Sequence, residues 1–242
     1  MTRHTDHEKV QAQVYHDNAS AYDEINAGKV RTCERKASMI ADAIRAAFPG
    51  PVRILEVGCG TGLFTARLAR RLPQASFVAT DCYEPMLDFA AKRLAEYPNI
   101  ELRVQDAGEA LPPGLEFDVV CGVDIIHHLA DPATAMRHWR NAAHPNSRIC
   151  FSEGNPRNPV LYWRLRSQPQ EERFYLNSRR NLTQWMTQGG WKDPRVDNMP
   201  MYLPPGPVWM SPITSGAEDL LHLGRALWGN FSGSFLVQAR AG

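Results

Sequence analysis

The residues of this chain best suited to chemistry are three glycines and a set of acids and histidines placed around short apolar runs. Gly58, Gly60 and Gly62 alternate directly after Ile54, Leu55 and Val57. Glycine at such spacing turns the backbone sharply through positive φ and lets a ligand lie against bare N–H groups at a helix start. Glu56 stands inside the apolar run, where a carboxylate is costly unless it meets a cation or several donors. Asp81 closes the next apolar run, roughly 20 residues beyond the turn, where a doubly wound sheet puts the carboxylate that binds ribose hydroxyls. His127 and His128 follow a later apolar run as V-D-I-I-H-H-L. A neutral imidazole near its ordinary pKa suits proton removal at physiological pH. Glu153, after another apolar run, is a second candidate base, and Asp124 reads equally as a helix N-cap.

These residues must be held by strands and helices, and the pattern supplies both. Arg53 to Val57 has the run of a buried strand, and Leu63 to Leu72 resumes at helical period with Leu63, Ala66, Leu68 and Leu72. Strands follow at Phe77 to Thr80, Ile100 to Val104, Phe117 to Val123 and Arg148 to Ser152, with helices at Pro85 to Leu94 and Pro132 to Ala143 between them. Regular alternation argues for parallel βαβ units, so each candidate residue lies at a strand's carboxyl end, where open α/β sheets bind ligands. Upstream, helical spacing covers Val14 to Ile25 and Ala37 to Phe48. Downstream come a short apolar helix around Leu161 to Leu165, a helix capped by Asn177 or Ser178 and closed by Gly189-Gly190, a Pro-, Met- and Trp-rich stretch from Met199 to Phe231, and a strand from Gly233 to Arg240.

A nicotinamide-dinucleotide fingerprint would read G-x-G-x-x-G, but Leu63 occupies the third glycine's place. The pattern is instead E-x-G-x-G-x-G followed by Asp81, and over roughly Ile54 to Phe151 the chain resembles the class I S-adenosylmethionine-dependent methyltransferases. The resemblance implies an α/β fold: a seven-stranded, mostly parallel, doubly wound Rossmann-like sheet whose last strand is antiparallel beside the fifth. It divides the chain into an N-terminal helical lid (1–48), a cofactor-binding core (49–153) and a C-terminal part (154–242) with a substrate-side cap. It implies S-adenosylmethionine as cofactor and S-adenosylhomocysteine as product. It places Glu56, Gly58, Gly60, Gly62, Asp81, Asp106 and Val123 at the cofactor. Asp106 with Ala107, Met86 and Ile125 would accept the adenine, and Tyr22, in a Tyr22-Asp23 pair, would lie near the methionine end. Core packing of Tyr22 remains the alternative. Glu56 would meet the ammonium directly, through water, or by fixing the turn.

Methyl transfer from a sulfonium needs acceptor positioning, water exclusion and, for a hydroxyl or amine, removal of a proton. His127, His128 and Glu153 are the catalytic candidates. The family often ends this strand in H-H-L, so a structural role for His128 also stands. No D-P-P-Y or N-P-P-Y follows the fourth strand, which counts against amino-group methylation of nucleic acid. Scattered cysteines without a C-x-x-C pair, and no carboxylate cluster for a bridging magnesium, give no metal site.

The 242 residues, 43% hydrophobic, suffice for one buried domain with attachments. With 27 basic against 26 acidic residues, no polyanion-binding surface is indicated, and a nucleic-acid partner is not expected. No apolar run reaches the roughly 18 residues of a membrane span, and the N-terminus lacks a signal-peptide core. The expectation is a cytoplasmic monomer or homodimer that methylates a small or lipid-like molecule, specifically an acceptor of secondary metabolism. The alternatives are a protein or RNA methyltransferase, or a member of the fold that binds the cofactor without transferring its methyl group.

Overall fold

A computed structural model of the chain describes residues 30–199 and 232–242. The expected first helix, Tyr22, and the Pro- and Trp-rich stretch between Met199 and Ser232 lie outside the described residues. In chain order the elements are α1 (Val30–Ala47), β1 (Arg53–Val57), α2 (Leu63–Arg71), β2 (Ser76–Asp81), α3 (Glu84–Leu94), β3 (Ile100–Val104), β4 (Val119–Val123), α4 (Pro132–Ala142), β5 (Arg148–Gly154), α5 (Pro159–Leu165), α6 (Arg179–Gln188), β6 (Lys192–Asn198) and β7 (Ser234–Arg240). Short 3-10 turns cover Ile126–His128, Pro169–Glu171 and Phe174–Leu176.

The strands form one seven-stranded sheet in the order β3-β2-β1-β4-β5-β7-β6. β1 pairs parallel with β2 and β4, and β4 with β5. β7 runs antiparallel between β5 and β6. The strand order reverses at β1 and β4, so a crevice opens beyond their carboxyl ends.

Strand periodicity sorts the core onto two faces. Ile54 packs with Val119, Cys121, Cys150 and Leu236 against Ala37, Ile40, Ala41 and Ile44 of α1 and Phe64 and Leu68 of α2. Leu55 and Val57 point the other way, with Val120, Ile149, Phe151 and Val237, against Met136 and Trp139 of α4 and Leu182 and Met186 of α6. Each large side chain so buried contributes roughly 1.5–3 kcal/mol. Trp139 stacks on Phe151 at 5.3 Å and donates its indole N–H to the Ala107 carbonyl at 3.1 Å, tying the loop after β3 to α4.

Helix α1 belongs to this body: its apolar face is core, and Glu34 meets Arg67, Arg70 and Arg71 of α2. The part of the expected lid that is described is therefore a layer of the sandwich. Two further differences stand out. Residues 192–198 form β6, which the sequence reading leaves unassigned. In α5 only Leu165 is buried, while Tyr162 and Trp163 are exposed, and Arg166 lies over the Trp163 ring at 3.9 Å. Among the described residues no helix is long and apolar enough to cross a membrane.

Candidate functional site

The crevice is floored by the turn from β1 into α2. Gly58, Gly60 and Gly62 all have positive φ (69°, 54° and 74°). Their surroundings differ. A Cβ on Gly58 would lie 2.6 Å from Ile125 Cδ1, and one on Gly62 2.9 Å from Leu94 Cδ1, so these two let the turn pack against its neighbours. A Cβ on Gly60 would meet nothing within 4 Å among the described residues. Gly60 therefore faces open space, on the side where a ligand would approach the backbone.

Glu56, 1% exposed, lies beneath this turn, and among the described residues its Oε2 has no hydrogen-bond partner. Burial raises its carboxyl to about 8; the nearby Thr65 hydroxyl eases the shift without closing a hydrogen bond, and the Asp81 charge adds to it. A buried, unpartnered carboxyl oxygen next to an open glycine turn suits a cationic group brought by a ligand.

Asp81 ends β2 where the sequence puts it. Its Oδ2 accepts from Gly60 N at 2.8 Å and its Oδ1 from Tyr83 N at 2.9 Å, so it bridges the glycine turn to the start of α3. Burial raises its pKa, and those backbone donors oppose the rise. Each oxygen keeps a lone pair for a hydroxyl. Asp106 folds its own loop: Oδ1 accepts from Gly108 N at 2.8 Å. Ala107 is buried against the core, Met86 is buried at the start of α3, and Val123 is half-buried at the end of β4.

At the carboxyl ends of β4 and β5, the histidines and the glutamate that the sequence singles out meet one another. Glu153, fully buried in β5, accepts from Ile125 N and Ile126 N through Oε1 (2.8 and 2.7 Å). Its Oε2 meets His127 Nδ1 at 2.9 Å and Asn177 Nδ2 at 2.7 Å. Four contacts saturate the carboxylate, so it holds the loop after β4 in place and has no position left for a substrate proton. His127 is buried, with Nδ1 on Glu153 and Nε2 3.1 Å from Glu171 Oε2. Burial alone would lower its pKa; the hydrogen bonds and charges of Glu153 and Glu171 outweigh that and raise it to about 10. The two carboxylates thus favour the protonated imidazole of His127. His128, half-buried, stacks obliquely on His127 with ring centroids 4.1 Å apart.

Asp124 is likewise not a helix cap. It sits at φ 53° after β4 and pairs with the buried Lys36 of α1 at 2.6 Å. Ser178, not Asn177, caps α6, accepting from Asn181 N at 3.1 Å. Lys36, Glu171 and the inward role of Asn177 escaped the sequence reading; Glu171 lies in a polar stretch with no periodic signal. Two surface grooves, lined by residues such as Arg148 and Arg240 or Arg53 and Glu116, open at the opposite, amino end of the parallel strands.

Residues 55–149 match the family described as "Methyltransferase domain". The chain is 28% identical over 142 residues to a malonyl-[acyl-carrier protein] O-methyltransferase of Halalkalibacterium halodurans, covering 57% of this chain and 52% of that protein. It is 37% identical over 119 residues to a ubiquinone biosynthesis O-methyltransferase of Neisseria meningitidis serogroup C, covering 47% and 48%. The chain thus spans about half the length of these curated relatives. In fold it is similar to the plantazolicin methyltransferase solved with SAH (TM-score 0.62, 15% identity, 96% of this chain and 98% of that one). It also resembles Haemonchus contortus phosphoethanolamine N-methyltransferase 2 solved with S-adenosyl-L-methionine (TM-score 0.58, 19% identity, 84% and 52%).

Proposed function

We propose, for a chain that carries a class I S-adenosylmethionine-dependent methyltransferase domain, that it transfers a methyl group to a small-molecule or lipid-like acceptor, with secondary metabolism as the first place to look. The observation carrying this reading is the orphaned Glu56 Oε2 under a glycine turn whose middle glycine faces open space. Bound S-adenosylmethionine would supply an electrophilic methyl on its sulfonium. Glu56 would hold the ammonium, Gly60 would admit close backbone approach, and Asp81 would accept from ribose hydroxyls while keeping its bonds to Gly60 and Tyr83. Met86, Ala107 and Asp106 would border the adenine, and Gly58, Gly62 and Val123 shape the crevice. Tyr22 would close the methionine end.

His127 and Glu153 serve this reading as positioning residues, keeping the loop after β4 at a fixed height beside the crevice. His128 and Glu171 are the ionisable groups of that cluster with partial exposure. Support for a small acceptor comes from the relatives, whose names specify an acyl-carrier-bound malonyl group and a quinone precursor pathway.

A second reading, a cofactor-binding protein that transfers nothing, is favoured by one observation: two of the three expected catalytic groups are fully engaged in internal contacts. A transfer assay with methyl-labelled S-adenosylmethionine and separate small-molecule, lipid, RNA and protein fractions decides between them. Label in a small-molecule or lipid fraction supports the first; tight binding without label supports the second.

A further inference from the structure

The cluster behind the acceptor side carries more than an ion pair. One ligand atom each from His127, His128 and Glu171 lie within 4.8 Å of one another. They come from two separate 3-10 turns, Ile126–His128 and Pro169–Glu171, which meet only in the folded chain. Two imidazoles and a carboxylate on one side of a site form a ligand set suited to Zn²⁺, Fe²⁺, Co²⁺ or Mn²⁺.

Three features match that chemistry. First, His127 has its Nδ1 against Glu153, which is itself anchored by Ile125 N, Ile126 N and Asn177. A carboxylate on the far ring nitrogen fixes the ring and its tautomer so that Nε2, once a metal displaces its proton, presents its lone pair, the usual support for a metal-bound histidine. Second, Nε2 lies 3.1 Å from Glu171 Oε2. Ligands at about 2.1 Å from a metal stand roughly 3.0 Å apart at right angles and roughly 3.4 Å apart in a tetrahedron. The pair is already at ligand spacing, and rotation of the half-buried His128 side chain completes the set. Third, His128 and Glu171 are half-buried while His127 is buried, so the three ligand atoms converge at a position that an ion can reach from solvent.

We propose that His127, His128 and Glu171 bind a divalent transition-metal cation, with Glu153 and Asn177 as its supporting second layer. Resting on the methyl-transfer reading, such a cation stands beside the end of β4 and would polarise an acceptor oxygen, the task for which His127 has no free nitrogen. Binding itself stands apart from that reading.

The test uses the full chain stripped with EDTA and titrated with Co²⁺ alone, followed by visible absorption and by calorimetry, and then with Zn²⁺ as competitor. The expected result is one saturable equivalent with a d–d spectrum of nitrogen and oxygen ligation, displaced by Zn²⁺. Affinity should fall at least about tenfold in Glu171→Gln and in His128→Ala, and about 10- to 100-fold in Asn177→Ala. No saturable spectrum, a thiolate charge-transfer band from the cysteines, or binding unchanged in both Glu171→Gln and His128→Ala would overturn the proposal. S-adenosylhomocysteine binding by the same preparation is measured alongside. Failure of Co²⁺ with intact S-adenosylhomocysteine binding sinks the metal site alone, and failure of the converse kind sinks the cofactor reading alone.

Discussion

The orphaned carboxyl of Glu56 makes cofactor binding a proton-releasing event. With its pKa raised to about 8 by burial, Glu56 is protonated in roughly nine of ten unliganded molecules at pH 7. An ammonium seated against Oε2 favours the ionised form, so binding S-adenosylhomocysteine should expel about 0.9 proton at that pH. The affinity should then fall about tenfold, or about 1.4 kcal/mol, for each unit that the pH drops below 8. Calorimetry in two buffers of different ionisation enthalpy measures the proton count directly. Working from pH 6 to 7.5 keeps the ligand's own ammonium charged. Glu56→Gln should remove the pH slope and the proton release together while weakening binding near pH 7.5. A wild-type proton count near zero would refute the argument, as would the same release persisting in Glu56→Gln. The same group predicts folding behaviour. A buried acid whose folded pKa is raised favours the fold while protonated, so the unliganded protein should lose stability as pH climbs from about 4.5 to about 8. Glu56→Gln should flatten that decline in chemical denaturation.

Other expectations are narrower. Asp81→Ala should weaken S-adenosylhomocysteine binding by about 1–3 kcal/mol through lost charge-assisted hydrogen bonds, read by calorimetry; an unchanged constant would remove Asp81 from the ribose. Gly60→Val should abolish cofactor binding and, because φ is 54° there, also lower the melting temperature, while circular dichroism at low temperature should still show a folded protein since the side chain meets no neighbour among the described residues; Cys59→Ser should bind normally. Gly122→Ala should cost about 1–3 kcal/mol of stability in urea unfolding, because its Cβ would sit 2.7 Å from Val57 O and 2.9 Å from Phe151 Cε1. Glu153→Gln should destabilise by about 3–5 kcal/mol by stripping a buried imidazolium of its counter-charge. In metal-free protein the raised pKa of His127 makes its contribution complete below about 6.5 and lost as pH rises toward 10. The stability difference between wild type and Glu153→Gln should shrink over that span.

The central part of the fold was legible because its signals are local. Ile54, Leu55 and Val57 must be buried, the glycines must turn, and Leu68 and Leu72 must face the strand they follow. β6 was not legible because it is an edge strand, K-D-P-R-V-D-N: only Val196 is buried and Pro194 interrupts the pattern. The acceptor side was half legible. His127 and Glu153 drew notice by type, but their saturation by each other, by Asn177 and by Glu171 depends on contacts across up to 50 residues of chain, which no spacing encodes. Asn177 was hidden by its neighbour: both it and Ser178 are good caps, and only packing decides that Ser178 takes the helix while Asn177 turns inward. Lys36 shows the same limit, since a lysine on an amphipathic helix reads as solvated until Asp124 is found opposite it.

The meeting of β5, β6 and β7 has a consequence for how such chains diversify. Asn155 holds Ser232 by its side-chain amide at 2.9 Å, Ser232 in turn donates to Asn198 Oδ1 at 3.1 Å, and Met199 N reaches Ser234 O at 2.9 Å. The chain therefore leaves the sheet at Met199 and rejoins it at Ser232 through one hydrogen-bonded junction. Because closing a loop costs only about 0.6 kcal/mol more for each doubling of its length, whatever sequence is spliced between those two points hardly burdens the sheet. Selection can lengthen, shorten or rewrite what lies between Met199 and Ser232 while the sheet, the crevice and its carboxylates stay as they are.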